Sequence, residues 1–118
     1  MGQFQFVIWL AYWYLNSNSF EFEWDSGNWS KSRTKHGVPN EEVESVFALK
    51  SGVPIGRQIS PPVDEERLCV VGPSLRGRFI SIVFTLRDGR VRPISCRVAN
   101  KKEKKLYEEV CKATKGIR

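Results

Sequence analysis

The densest group of chemistry-bearing side chains lies near the C-terminus, where Arg87, Arg90, Arg92, Arg97, Lys101, Lys102, Lys104 and Lys105 crowd into one short stretch. Brought together, they would bind a polyanion through counterion release and bidentate Arg–phosphate contacts. A solvated charged edge that keeps strands from pairing with other chains is the competing role for the same residues. His36 is the only histidine. Its imidazole could move a proton in phosphodiester cleavage, with Lys35 beside it as a companion. Its other role is structural, ending a basic helix before Gly37. There is no glycine-rich phosphate loop, no G-x-S-x-G elbow and no pair of carboxylates at metal-binding spacing. Asp64-Glu65-Glu66, between Pro61-Pro62 and Arg67, reads as a solvated turn. No metal and no cofactor is therefore expected, and any chemistry rests on Lys, Arg, His, Glu and Tyr.

These groups need elements to position them. Phe79 to Thr85 and Val91 to Arg97 flank Arg87-Asp88-Gly89-Arg90, and the Asp-Gly pair predicts a type I′ hairpin that makes the two strands antiparallel. Pro93 cannot donate a ladder hydrogen bond, so its strand must lie at an edge or bulge there. In a regular strand Arg90 and Arg92 point to one face and Arg97 to the other, so convergence of all three requires a bulge at Pro93 or the turn that follows. Asn100-Lys101-Lys102-Glu103 reads as a capping box that opens a helix with Leu106, Tyr107 and Val110 toward the sheet.

Upstream, Arg67 to Gly72 is another strand, and Phe20 to Trp24 alternates apolar and acidic residues as a half-buried strand does. Asp25 or Ser26 caps a short helix reaching about Lys35. A second helix begins near Pro39, with Glu41 and Glu42 in its first turn and Val43, Val46 and Phe47 on its apolar face. Ser51 to Pro62, rich in proline and glycine, reads as a loop. Phe4 to Leu15, dense in aromatic and β-branched residues, leads into the polar linker Asn16-Ser17-Asn18-Ser19. Residues 1–19 thus read as an apolar N-terminal extension, either a strand or arm added to the core or a stretch preceding the domain, and residues 20–118 as the domain itself. The fold class is α/β of the α+β kind.

Composition sets outer bounds on function. With 118 residues, 41% apolar and 27% charged, the chain holds one compact domain, which excludes a multidomain machine. The net charge of +6 is uneven: residues 1–30 contain no Lys or Arg, and all four Trp lie there. An anionic partner follows, facing the basic remainder. Cys69, Cys96 and Cys111 are widely spaced and odd in number, which signals neither a disulfide framework nor a zinc site and suits a reducing cytoplasm. The apolar run Phe6 to Leu15 falls short of the roughly 20 residues a membrane span needs and lacks the positive flank of a secretory signal.

Phe22-Glu23-Trp24-Asp25, Lys35-His36-Gly37-Val38, Glu41-Glu42, Val46-Phe47, Glu66-Arg67, Val83-Phe84-Thr85 and Arg90 through Ala99, with Glu103 and Tyr107, together resemble the BrnT family of bacterial toxins. The resemblance runs over about residues 20–109. It implies a small domain similar to RelE-type toxins, with an antiparallel sheet packed against two N-terminal helices and one C-terminal helix. It implies a translation-blocking ribonuclease neutralised by a BrnA-type antitoxin, through which alone operator DNA is bound, in the cytoplasm and without a membrane partner. On that footing Arg92 and Arg97 are the groups to stabilise charge on the phosphoryl oxygens, and Lys35 or His36 the group to handle a proton. Arg67, Arg87, Arg90, Lys101 and Lys102 are the further RNA contacts. Asn28 and Val98 stand where the family usually has basic residues. These departures define the alternative, a non-catalytic homologue that binds only an antitoxin or RNA.

Overall fold

The computed structural model describes residues 3–30, 36–62 and 64–113. Along these residues run β1 (Gln3–Gln5), α1 (Ile8–Asn16), α2 (Asn40–Ala48), β2 (Val53–Ser60), β3 (Leu68–Pro73), β4 (Phe79–Arg87), β5 (Arg90–Val98) and α3 (Lys101–Ala113). The strands form one sheet in the order β1-β2-β3-β4-β5, antiparallel throughout. The architecture is α+β, as the sequence predicts.

Both faces of the sheet are covered, which is why β3 reads Leu-Cys-Val-Val without alternation. Leu68, Val70, Ile80, Ile82, Phe84, Val91 and Cys96 pack with α1 and α2 into the main core. Cys69, Val71, Phe79 and Val83 face the other way, toward Tyr107 of α3. Burial pushes the Cys69 thiol up to about 12, so it is a packing group and not a nucleophile.

Three segments depart from the sequence-based picture. Ser51 to Pro62, read as a loop, contains β2. Pro54 and Gly56 sit at an irregularity in its pairing with β3, where a missing ladder bond is tolerated. A Cβ on Gly56 would lie 2.0 Å from the Gln5 carbonyl oxygen, so only glycine lets β1 close on β2. Phe20 to Trp24 makes one parallel bridge, Phe22 with Val91, in which the Glu23 N–H donates to the Val91 carbonyl and the Val91 N–H to the Glu21 carbonyl. It covers an edge that would otherwise be open. In the N-terminal apolar run only Gln3–Gln5 is strand, and Ile8–Asn16 is helical. Leu10 and Tyr14 of that helix are fully buried. The Tyr14 hydroxyl donates to the Val46 carbonyl at 2.9 Å and accepts from the Gly52 N–H at 3.1 Å, tying α1 to α2 and β2.

Helix α2 buries Val43, Val46 and Phe47 as its periodicity requires. Glu42, expected to complement the helix N-terminus, also turns inward and is fully buried. It accepts from Arg78 Nε at 3.0 Å and from the Ser74 hydroxyl at 2.6 Å. Burial alone would raise its pKa, but the bonds from Arg78 and Ser74 outweigh it and hold the carboxyl below its usual range. The folded value therefore lies below the unfolded one of about 4.3. The stabilisation from Glu42 is complete above that value and is lost as pH falls through the folded pKa. Glu42→Gln should flatten the acid limb of stability, read as urea midpoints between about pH 3 and 6. Parallel acid losses in the wild type and the variant would contradict this assignment.

Candidate functional site

The β4–β5 hairpin closes through Asp88 at φ 52° and Gly89 at φ 78°, the two left-handed residues of a type I′ turn. Beyond it, Phe84 pairs with Pro93 but Val83 pairs with Ser95, so Ile94 is an extra residue in β5. This is the bulge that convergence of the arginines requires. It reverses the alternation, and Arg90, Arg92 and Arg97 fall on one face, opposite Arg87, Thr85 and Ser81 respectively. Sharing a face does not bring them together. Thr85 and Ser81 are four residues apart on β4, so Arg92 and Arg97 are separated by about 13 Å of strand.

Arg92 lies at the hairpin end. Its Nη1 donates to Asp25 Oδ2 at 2.7 Å and to Glu23 Oε1 at 3.3 Å, and its Nη2 to Asp25 Oδ1 at 3.1 Å. The Arg92 side chain is 15% exposed and that of Asp25 is 49% exposed. The hydrogen bonds from Arg92, then from the Gly27 N–H, hold the Asp25 carboxyl below its usual range. Arg87 binds Glu65 through Nε and Nη2 and lies 3.6 Å from Glu23, while Arg90 lies 3.8 Å from Glu21. Three arginines thus meet four carboxylates. Three of those four, Glu21, Glu23 and Asp25, come from the acidic N-terminal stretch, which composition alone had set apart from the basic region. Arg67 is at the same end of the sheet, one residue before Leu68, which pairs with Phe84.

At the other end Arg97 forms a bidentate pair with Glu103, at 2.9 and 2.8 Å. Glu103 is 2% exposed and also accepts from the Ser81 hydroxyl and the Asn100 N–H. The Glu103 N–H in turn donates to the Asn100 Oδ1, completing the predicted capping box. Lys101 and Lys102 are exposed in the first turn of α3, and Lys104 lies 5.4 Å from the centre of the Phe79 ring.

Of the two proton-transfer candidates, Lys35 lies outside the described residues, as does most of the second half of the helix expected over 25–35. Residues 26–30 form turns, and His36 is half-buried and helical. Among the described residues no group of three His, Cys, Asp or Glu side chains could hold a metal ion.

Sequence reasoning missed the part played by the turn after Trp24. Asn28, read as a lost basic contact, is buried and acts as a clamp. Its Nδ2 donates at 3.0 Å to the carbonyls of Glu23 and Pro93, and its Oδ1 accepts from the Asp25 N–H at 2.7 Å. The turn is thereby pinned to the bulge of β5, with Asp25 aimed at Arg92. The available signal was the Asp25-Ser26-Gly27-Asn28 spacing, typical of side chains that bond their own backbone. Val98, in contrast, is exposed at the end of β5.

The family model for BrnT, the ribonuclease toxin of type II toxin–antitoxin systems, matches residues 24–103. The chain belongs to the BrnT family. The matched span opens at Trp24, just before the turn that holds Arg92, and closes at Glu103, the partner of Arg97. As a member of a type II toxin family, this BrnT protein has an antitoxin as its partner class. No curated protein matches the chain. Among the described residues no helix is long and apolar enough to cross a membrane.

Proposed function

We propose that this BrnT protein is a cytoplasmic endoribonuclease that cuts RNA without a metal, blocks translation and is neutralised by a BrnA-type antitoxin. The family match over residues 24–103 carries this reading, and it spans every candidate catalytic position. An RNA 2′-hydroxyl attacks the adjacent phosphorus in line, the 5′-oxygen leaves, and the products are a 2′,3′-cyclic phosphate and a 5′-hydroxyl. Lys35 or His36 moves a proton, and Arg92 stabilises the charge that develops on the phosphoryl oxygens. Asp25, the bidentate partner of Arg92, is about half exposed, so a phosphate can compete with it for the guanidinium. Arg97 offers less to a substrate, because its partner Glu103 is buried. We assign it the placing of Lys101 and Lys102, which with Arg67, Arg87 and Arg90 track the RNA backbone.

Purified protein is expected to cut single-stranded RNA in excess chelator, and its expression alone to arrest growth until the antitoxin is supplied. Antitoxin capture with no cleavage and no arrest would instead establish the non-catalytic homologue, which the exposed Val98 favours.

A further inference from the structure

We propose that the β3–β4 turn and the first turn of α3 form a phosphate-binding edge for the RNA backbone, with Arg76 as its leading contact; this rests on the ribonuclease reading above. The two turns are neighbours. The Ala99 N–H donates to the Phe79 carbonyl at 2.8 Å, and Lys104 of α3 stands over the ring of the same Phe79. Arg76 and Arg78, just before Phe79, therefore lie at the same end of the sheet as Lys101 and Lys102, just after Ala99. The hairpin that carries Arg92 is at the opposite end, about 27 Å away along β4.

Pairing distinguishes the two ends. At the hairpin Arg87, Arg90 and Arg92 meet four carboxylates, with which an arriving phosphate must compete. At the β3–β4 turn one carboxylate faces two arginines. Glu42 is fully buried and accepts from Arg78 and Ser74, while Arg76 Nη1 stays 3.9 Å from it, beyond hydrogen-bond reach. The Arg76 side chain is 52% exposed. On α3, Arg97 is matched by the buried Glu103, and Lys101 and Lys102 are exposed beside that pair. The exposed acids of the helix, Glu108 and Glu109, come one turn after Lys104 and Lys105 and so stand next to those two lysines.

The edge is built before any ligand arrives. The Ser74 N–H donates to the Arg78 carbonyl at 2.8 Å, the Gly77 N–H to the Ser74 carbonyl at 2.9 Å and the Leu75 N–H to the Ser45 hydroxyl at 3.0 Å. A backbone held in this way loses little further freedom on binding. Lys101 and Lys102 weaken their own helix, because cations in a first turn oppose its dipole. Their placement serves an anion and not the helix. An RNA strand presents anions in a row, so one chain can meet this edge and reach Arg92, which a single nucleotide cannot do.

The salt dependence of binding tests the edge. Affinity for a labelled, uncleavable 2′-O-methyl uridine dodecamer is followed by fluorescence anisotropy between about 50 and 200 mM salt, where each phosphate contact on a single strand contributes about 0.7 to the log–log slope. Arg76→Ala should lower the slope by about 0.7, and Lys101→Ala combined with Lys102→Ala by about 1.4. Lys112→Ala removes an exposed cation about 16 Å farther along α3 and should leave the slope unchanged. Arg76→Ala should keep its urea midpoint, since Glu42 retains Arg78 and Ser74; the lysine variant reads the edge independently of that turn. If the Arg76 and lysine variants keep the wild-type slope, or Lys112→Ala loses as much as Arg76→Ala, the edge is overturned and the ribonuclease reading stands. If wild type does not bind the dodecamer at any of these salt concentrations, the RNA reading fails and takes this proposal with it.

Discussion

Arg97→Ala is expected to lower the folding stability of the protein by about 3–5 kcal/mol, the usual cost of stranding a buried charge. Glu103, the charge in question, would keep only the Ser81 hydroxyl and the Asn100 N–H. Since a domain of this size is stable by about 5–15 kcal/mol, the loss is a large share of the total. Replacing both partners with uncharged groups, as in Arg97→Met with Glu103→Gln, should cost less than Arg97→Ala alone, because no charge is left behind. Arg97→Lys should recover only part of the loss, since an ammonium cannot bridge both carboxylate oxygens. Urea denaturation of the four proteins checks this order. A stable Arg97→Ala protein that has lost cleavage would return Arg97 to a catalytic role.

Arg92→Ala should have the opposite signature. The groups it abandons, Asp25 and Glu23, are exposed enough to take up water, so the fold should change little. Cleavage should fall by about 100- to 1,000-fold, or about 2.7–4 kcal/mol of transition-state stabilisation, the range found when one preorganised donor to a developing oxyanion is removed. Arg92→Lys should remain deficient, because it keeps the charge and loses the planar fork. Urea midpoints measured beside cleavage rates distinguish lost chemistry from lost structure.

Features written into local sequence were legible without coordinates. The Asp88-Gly89 turn, the antiparallel β4–β5 pair, the edge irregularity at Pro93, the Asn100–Glu103 capping box and the apolar face of α2 each depend on residues within a few positions of one another. The role of Ser51 to Pro62 was hidden because proline and glycine ordinarily end strands, and only pairing with β1 and β3 on both sides explains β2. Contacts between distant segments were hidden for a deeper reason. Nothing in the local pattern of Glu21, Glu23 and Asp25 says that they meet Arg90, Arg87 and Arg92 some seventy residues later. A basic region inferred from composition therefore became an ion-pair network. The same bulge that puts the arginines on one face still leaves Arg97 about 13 Å of strand away from Arg92, each held by its own carboxylate partners.

Catalysis by the guanidinium of Arg92 without a metal is the central claim, and one measurement addresses it directly. Single-turnover cleavage of an end-labelled single-stranded RNA is followed in excess chelator for the wild type and for folded Arg92→Ala, with the product ends identified. The account predicts 2′,3′-cyclic phosphate and 5′-hydroxyl ends from the wild type and a rate at least about 100-fold lower for the variant. Equal rates for the two proteins, or cleavage only after a divalent metal is restored, would contradict it.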